Sequence, residues 1–297
     1  MSDVIRLRAN AKLNLFLRVV GADTQGWHEL ETVFHSVALT DLVELAHAPR
    51  GGIRVDMTAE AEAQAHIPAR GDNLASIAAA RVAQLAQQSG GASITVTKNI
   101  PIGGGLAGGS ADAAATIVGL DALWKLELPR ESVLELAAAM GSDIAFCLGG
   151  GTALGTGRGN DLVPLPQPPP MWFVLGISDR PLLTGDVYGA WDQQGNSGAV
   201  SAEGMIQALG RGEVADVALH LHNDLLVPAV TLRPEIEDGV AALLDAGALG
   251  AGMSGSGPTV FGMAAGWAEA EALGRKVDGR FARVEVVASA PAGVEWL

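Results

Sequence analysis

The sequence has little cysteine, tyrosine or aromatic residue of any kind. Its 297 residues include one cysteine, Cys147, one tyrosine, Tyr188, and 4% aromatic residues in all. A single cysteine excludes an internal disulfide framework, and without a second cysteine or a histidine-rich tract it also excludes a structural zinc cluster. We therefore expect a protein of the reducing cytoplasm, in which Cys147 is a buried apolar side chain of a short helix.

Basic residues and long apolar runs are scarce as well. Lysine and arginine number 19 against 33 acidic residues, a formal net charge of −14, and no basic segment offsets it locally. A broad basic face for nucleic acid or an anionic membrane is therefore disfavoured. No apolar run approaches the roughly 18 residues of a membrane span, and the first 16 residues predict a strand rather than a signal peptide. We expect a small-molecule partner, no nucleic-acid or membrane partner, and a monomer or weak homodimer.

Length and composition predict two globular domains. The chain is 48% hydrophobic and 18% charged, which is typical of folded proteins, and domains average about 150 residues. A proline-rich stretch at 166–170 is the natural boundary. We therefore expect an N-terminal domain over 1–166 and a C-terminal domain over 167–297.

Hydrophobic periodicity mixes strands and helices in both halves, which predicts an α+β fold. In the first strand Lys12 and Asn14 share the face opposite the apolar residues. Ser142 is a predicted N-cap, which places Asp143 in the first turn of a short helix. The predicted strands are 11–19, 32–39, 92–97, 171–177, 259–264 and 284–288, with a hairpin of 151–154 and 162–165; the predicted helices are 73–88, 110–124, 131–140, 143–148, 234–246 and 268–277.

Glycine, in contrast, is abundant: 39 of 297 residues, 13%, against an average of about 7%. Sixteen of these glycines lie in three short segments, 103–109, 149–159 and 247–257. The segments have neither the three-residue period of collagen nor the composition of a flexible linker. They predict three specific loops, of which the middle one suggests no role.

The first glycine loop is followed directly by a helix, so its backbone N–H groups and the helix dipole predict a phosphate site. A P-loop is excluded because Gly109 stands where its lysine belongs. Gly103, Gly105 and Gly108 match the dinucleotide pattern G-x-G-x-x-G, but helices rather than a βαβ strand follow, which disfavours that fold. The alternative is that the glycines serve only tight turns, and three such loops in one chain argue against it.

Two of these loops resemble motifs of the GHMP kinases, the superfamily of galactokinase, homoserine kinase and mevalonate kinase. The segment 101–111 (PIGGGLAGGSA) is similar to the superfamily's phosphate-binding motif, and 250–259 (GAGMSGSGPT) to its C-terminal glycine motif. The resemblance implies a two-domain fold, with an N-terminal domain like domain 2 of ribosomal protein S5 and a ferredoxin-like C-terminal domain. It also implies ATP binding by Pro101, Ile102, Gly103, Gly104, Gly105, Leu106, Ala107, Gly108, Gly109, Ser110 and Ala111.

Four further segments resemble one branch of that superfamily: 11–17 (AKLNLFL), 26–32 (GWHELET), 141–144 (GSDI) and 222–225 (HNDL). This branch implies phosphorylation of the 2-hydroxyl of a cytidyl-diphosphate sugar alcohol in the non-mevalonate route to isoprenoid precursors. A kinase similar to homoserine or mevalonate kinase is the alternative within the superfamily, and a non-catalytic nucleotide-binding protein or a dinucleotide oxidoreductase is the alternative outside it.

The sequence departs from the branch at three positions. Trp27 replaces the usual tyrosine, which keeps a stacking surface. Ala145 replaces a common proline, and Leu226 stands where an acidic residue is frequent.

By resemblance, and by its place at a helix start, Asp143 is the expected catalytic base, with Lys12 keeping it charged and polarising the hydroxyl. The structural alternatives are a helix cap for Asp143 and a solvated strand lysine for Lys12. Ser110 is expected to bind Mg2+ or a phosphate oxygen, its alternative being an ordinary N-cap. Mg2+ is the expected companion of ATP because the chain has few cations to neutralise the phosphate.

Substrate contacts are expected from residues of both halves. Trp27 and Tyr188 are expected to sandwich the cytosine, since stacking on an aromatic face needs no charge. His28 is expected to bind the cytosine edge. The alternatives are core packing for Trp27 and Tyr188 and a structural histidine with satisfied hydrogen bonds for His28. The remaining candidates are Asn14 and Thr184 for the sugar alcohol or its diphosphate, and Gly255 and Ser256 for the third loop closing on the transferred phosphate.

Overall fold

A computed structural model describes residues 4–22, 26–48, 51–60, 72–87, 90–194 and 200–297. The larger of its two sheets contains eight strands: β1 (Ile5–Ala22), β2 (His28–Ala48), β3 (Ile53–Thr58), β4 (Gly91–Thr97), β5 (Thr152–Thr156), β6 (Asp161–Pro164), β8 (His222–Asn223) and β12 (Val294–Trp296). The smaller sheet contains β7 (Trp172–Ile177), β9 (Gly250–Met253), β10 (Val260–Ala264) and β11 (Arg283–Ala288).

Helices cover these sheets, and all six predicted helices are present. Gln88, the predicted last residue of the first helix, lies outside the described residues. The described helices are α1 (Leu74–Leu85), α2 (Gly108–Trp124), α3 (Arg130–Met140), α4 (Ser142–Gly149), α5 (Thr184–Gln194), α6 (Glu203–Arg211), α7 (Val214–Leu219), α8 (Leu226–Leu232), α9 (Glu235–Asp245) and α10 (Trp267–Val277). No helix of the described residues has the length and apolarity that a membrane crossing requires.

The two halves of the chain share the larger sheet. Its main strand order is β12-β1-β2-β4-β3, and β8 pairs in parallel with β1, so two strands from beyond residue 167 complete the sheet of the first half. The smaller sheet, in the order β11-β7-β10-β9, is built entirely from the second half. The division at residues 166 and 167 stays a prediction. With that division, two strands of the second domain, β8 and β12, would lie in the sheet of the first.

The long hairpin of β1 and β2 buries both of its faces around Lys12. The predicted apolar face of 11–19 is buried, but Lys12, Asn14 and Phe16 on the opposite face are buried too. The pairing shifts register between Asn10 and Ala11, and again between Asn14 and Phe16. Irregularities of this kind bend a strand and increase its local twist.

Helix α2 lies in the core and is alanine-rich for a steric reason. Twelve of its 17 residues are buried, so it packs on all sides rather than along one stripe. At Gly119 a Cβ atom would lie 2.4 Å from a methyl group of Leu45 on β2, so a larger residue would require the Leu45 side chain to move. Small side chains thus bring the helix close to the sheet.

Two helix starts differ from the sequence prediction. Helix α4 begins at Ser142 itself, and its N-cap is Gly141, with no side-chain cap; the prediction of Ser142 as N-cap is therefore wrong. Helix α2 begins at Gly108, two residues before the predicted start, because Ala107 takes a left-handed conformation with φ 58° that ends the loop there. Cys147 is buried in α4 as predicted, and burial raises the pKa of its thiol.

His35 on β2 makes the free energy of unfolding depend on pH. Its ring nitrogens contact the hydroxyls of Thr152 and Ser289 at 2.9 and 2.8 Å, and burial lowers its pKa from 6.5 to about 4. Above pH 6.5 the ring is neutral in both the folded and the unfolded chain. As the pH falls toward 4, only the unfolded chain takes up the proton, so the folded state loses stability.

We expect the free energy of unfolding of the wild type to fall by about 2 to 3 kcal/mol more than that of His35→Asn between pH 7.5 and 4.5. Urea unfolding of both proteins across this range measures the difference. Parallel curves would contradict the assignment of this pH dependence to His35.

Candidate active site

A cavity of about 950 Å3 lies where the two halves of the chain meet. It brings together nearly all the predicted site residues, although they come from segments up to 244 positions apart, from Lys12 to Ser256. The exceptions are Leu106 and Ala111, which are fully buried in the core and do not line the cavity. The predicted residues that line it are Lys12, Asn14, Trp27, His28, Pro101, Ile102, Gly103, Gly104, Gly105, Ala107, Gly108, Gly109, Ser110, Asp143, Thr184, Tyr188, Gly255 and Ser256.

One wall is the first glycine loop with the start of α2. None of the first-turn residues of α2 is acidic, and no side chain caps its N-terminus. Gly108, Gly109 and Ser110 of that turn line the cavity, so the positive end of the helix dipole, where N–H groups have no intrahelical acceptor, lies beside it. Such an end is suited to bind phosphate.

The first and third glycine loops are in direct contact. Gly105 has φ 78°, and a Cβ atom there would lie 2.3 Å from the carbonyl oxygen of Ser254. The Ser254 hydroxyl donates to the carbonyl of Gly105 at 3.0 Å, and the Thr259 N–H donates to that of Gly104 at 3.3 Å. The two halves of the chain thus hold the phosphate loop between them, and glycine is required where the backbones touch.

Lys12 and Asp143 form the polar centre of the cavity. Lys12 is buried, and its Nζ donates to the side-chain oxygen of Asn14 at 2.7 Å and to the carbonyl of Gly105 at 3.1 Å. The same Nζ lies 3.8 Å from Asp143 Oδ2, and the Asp143 side chain is 36% exposed to the cavity. A cation is therefore fixed within the wall, while the carboxylate in the first turn of α4 remains open to a ligand.

Asn14 orients Lys12. Its amide nitrogen donates to the Thr32 hydroxyl at 2.8 Å, and that hydroxyl donates to the carbonyl of Phe16 at 2.7 Å. These hydrogen bonds fix the orientation of the Asn14 amide. Its nitrogen faces Thr32, so its oxygen faces Lys12 and accepts the hydrogen bond. Both polar atoms of Asn14 thus have partners within the protein, and its side-chain oxygen helps to hold Lys12 in place.

The opposite end of the cavity is aromatic. The rings of His28 and Tyr188 lie 4.5 Å apart, and His28 Nε2 lies 2.8 Å from Asp192 Oδ1. Trp27 is 60% exposed, with the Arg158 guanidinium 5.2 Å from its ring centre. Burial, reinforced by the charge of Asp143, raises the pKa of the Tyr188 hydroxyl, which therefore stays neutral.

The third loop reaches this end through hydroxyl groups. The hydroxyls of Thr184, at the start of α5, and Ser256 lie 2.9 Å apart. Asn223 supports the loop by donating to the carbonyls of Met253 and Gly255, each at 2.8 Å. The segment 222–225 thus fixes the loop and does not line the cavity.

Reasoning from the sequence missed a buried charge cluster at the cavity wall. Lys98 donates to Asp112 at 2.6 Å and to Asp41, whose other oxygen accepts the N–H groups of Asn99 and Ile100. Burial raises the pKa of Asp112 to about 8, against the opposing charge of Lys98. Burial alone would lower the pKa of Lys98, but Asp112 and Asp41 raise it.

One sequence signal pointed to this cluster. Asp112 is an acidic residue inside an alanine-rich helix that has no polar face, and a buried carboxylate of that kind needs a partner. Lys98 and Asp41 lie in other segments, and nothing local to them indicates the pairing.

The middle glycine segment has a packing role. A Cβ atom at Gly150 would lie 1.9 Å from the backbone nitrogen of Gly293, so glycine lets the chain before β5 pass the segment that leads into β12.

Gly157 and Gly159 have φ 63° and 87° in the turn between β5 and β6. The predicted hairpin is therefore confirmed.

Comparison with known proteins agrees with this geometry. Residues 73–151 match the family model of the GHMP kinases N terminal domain, and residues 205–283 match that of the GHMP kinases C terminal domain. The chain is 39% identical over 282 residues to a 4-diphosphocytidyl-2-C-methyl-D-erythritol kinase of Pelotomaculum thermopropionicum, a match that covers 95% of each chain.

Solved structures show the same fold. A crystal structure of a 4-(cytidine 5'-diphospho)-2C-methyl-D-erythritol kinase matches with a TM-score of 0.81 and 31% identity, covering 96% of this chain and 99% of that one. A homoserine kinase of Cytophaga hutchinsonii matches with a TM-score of 0.78 and 20% identity, covering 100% and 98% of the two chains, which shows the fold alone. The predicted α+β fold is therefore confirmed.

Proposed function

This chain belongs to the 4-diphosphocytidyl-2-C-methyl-D-erythritol kinases, a family of GHMP kinases, and we propose that the cavity between its two halves carries out their reaction. The enzyme transfers the terminal phosphate of ATP to the 2-hydroxyl of 4-diphosphocytidyl-2-C-methyl-D-erythritol. The observation that carries the proposal is the position of Lys12 and Asp143, which are held between a phosphate-binding loop and an aromatic wall.

ATP binds along the first glycine loop. Its phosphates accept hydrogen bonds from the loop N–H groups and from the first turn of α2, where no acidic side chain competes. The backbone contact between Gly105 and Ser254 holds the loop in place before ATP arrives. The net charge of the protein is negative and does not attract a triphosphate. These N–H groups provide the attraction locally.

Mg2+ fits this site as a companion of ATP. Within the described part of the chain, no group of three or more His, Cys, Asp or Glu side chains is placed to hold a metal by itself. Kinases commonly hold Mg2+ through substrate phosphates and one or two protein oxygens, and the Ser110 hydroxyl on the cavity wall can supply one of these. When bound, Mg2+ neutralises charge on the transferred phosphate.

Asp143 accepts the proton of the substrate hydroxyl while that oxygen forms its bond to the terminal phosphorus of ATP. The bond from this phosphorus to the bridging oxygen breaks, and ADP leaves with the electron pair. Lys12 stays in place through Asn14 and Gly105, so its charge lies beside Asp143 and polarises the hydroxyl. Because the cation is fixed before substrate binds, little reorganisation is needed in the transition state.

The aromatic end binds the cytosine. Trp27 offers an exposed ring face, and Tyr188 lies on the same cavity wall in contact with His28. Asp192 holds one ring nitrogen of His28, which fixes the orientation in which His28 meets the base edge. We assign Thr184 and Ser256, whose hydroxyls lie 2.9 Å apart, to the sugar alcohol or its diphosphate. Gly255 lies beside Lys12, and we assign it to the point at which the phosphate is transferred.

A coupled assay of ADP release tests the function. We expect rapid ATP-dependent turnover with 4-diphosphocytidyl-2-C-methyl-D-erythritol and none above background with homoserine or mevalonate, because those molecules carry no base for the aromatic wall. Mass spectrometry of the product would show a single added phosphate. Turnover of homoserine or mevalonate, with the cytidyl compound inert, would overturn the assignment in favour of another GHMP kinase.

A further inference from the structure

The cavity has a cationic side chain that the reaction described above does not use. Among the described residues that line it, the cations are Lys12, Lys98 and Arg158. Lys12 is buried against Asn14 and Gly105, and Lys98 is buried between two aspartates. Arg158 is an exposed residue on the cavity wall.

Arg158 lies at the tip of the turn between β5 and β6, and glycines on both sides set its position. Gly157 and Gly159 have φ 63° and 87°, conformations that reverse the chain tightly. Gly159 packs against Ser142, the first residue of α4. A Cβ atom added at Gly159 would lie 3.4 Å from the Ser142 Cβ. The turn is thus anchored beside the helix start that carries Asp143.

The Arg158 side chain reaches toward the aromatic end. Its guanidinium carbon lies 5.2 Å from the ring centre of Trp27, a distance typical of cation–π contact. Arg158 therefore connects two parts of the cavity, with its backbone next to the start of α4 and its charged group over Trp27.

We infer that Arg158 binds the diphosphate that joins cytidine to the sugar alcohol, and so helps to select the substrate. The inference rests on the proposed function. In that substrate the diphosphate separates the base from the reacting hydroxyl, and in the cavity Arg158 has its guanidinium near Trp27 and its turn beside the helix start that carries Asp143. The guanidinium is planar and always charged, and its parallel N–H groups match phosphate oxygens. Contact with the Trp27 ring restrains the guanidinium before the substrate binds.

Binding of cytidine and of cytidine diphosphate by the wild type and Arg158→Ala tests the inference. Calorimetry in the presence of saturating ADP, which fills the nucleotide site, measures binding at the substrate end alone. We expect Arg158→Ala to bind cytidine diphosphate about tenfold more weakly, as the loss of one charge-assisted hydrogen bond predicts, and to bind cytidine as the wild type does. The KM for the full substrate should rise by about the same factor while the KM for ATP is unchanged.

Arg275→Ala is the matched control, because Arg275 is an exposed arginine of α10 that pairs with Glu271 and does not line the cavity. Unchanged binding of cytidine diphosphate by Arg158→Ala would overturn the inference. An equal loss for cytidine and its diphosphate would also overturn it, because Arg158 would then act on the base through Trp27. If the wild type itself did not phosphorylate the full substrate, the proposed function would fail, whereas these binding results bear on Arg158 alone.

Discussion

The Asp143→Asn variant is expected to lose about 100-fold or more in kcat while it binds ATP with unchanged affinity. Asparagine has nearly the shape of aspartate, but its amide cannot take the proton of the attacking hydroxyl at neutral pH. The phosphate loop lies on other elements, and Lys12 keeps its hydrogen bonds to Asn14 and Gly105, so the ATP site remains intact. ADP release measures kcat, and calorimetry measures ATP affinity.

Asp245→Asn is the control for this change, since Asp245 is an exposed carboxylate at the end of α9 and lies outside the cavity. We expect it to turn over as the wild type does. If Asp143→Asn also kept wild-type turnover, Asp143 would not be the base, and its contact with Lys12 would have to be purely structural.

The Gly105→Ala variant is expected to lose about 100-fold in kcat/KM and about 2 kcal/mol of stability. The new Cβ atom would lie 2.3 Å from the Ser254 carbonyl oxygen and 3.0 Å from the nitrogen and oxygen of Gly257. These are backbone atoms, so a rotamer change cannot relieve the clash, and φ 78° is itself unfavourable for alanine. The two loops must separate, which displaces the phosphate site and the Gly105 carbonyl that holds Lys12.

Gly210→Ala tests whether any glycine substitution has such an effect. Gly210 lies in α6, and a Cβ atom there would meet nothing within 4 Å. Alanine is also the better helix former, so we expect unchanged activity and equal or slightly higher stability. Thermal unfolding and the ADP assay serve for both variants. Wild-type activity in Gly105→Ala would show that the contact between the loops is not needed for catalysis.

Much of the fold could be predicted because strands and helices leave local patterns. The helix over 131–140 and the strand over 92–97 agree with α3 and β4 to within one residue, since apolar spacing and flanking turn residues depend only on nearby positions. The start of α2 was harder to predict, because the left-handed conformation of Ala107 has no signal in its own residue type.

The candidate site divides in a similar way. The glycine loop before a helix predicts phosphate binding from local physics, and the family resemblance singled out Lys12 and Asp143. Neither source indicated that Thr32 would orient Asn14, which in turn holds Lys12. These hydrogen bonds cross between two paired strands with shifted register. Neither indicated Arg158, which reaches the cavity only because β5 pairs with β2.

The sequence by itself determined the order of the elements that it predicted, the acidic net charge, the three glycine loops and the phosphate-binding character expected of the first. These properties depend on composition and on residues close together in the chain. Only the tertiary structure decided which distant groups meet. Gly105 touches Ser254 across 149 positions, and Lys98 joins Asp41 across 57. Such contacts follow from the alignment of the sheets and the burial of charge, which are set when the whole chain packs.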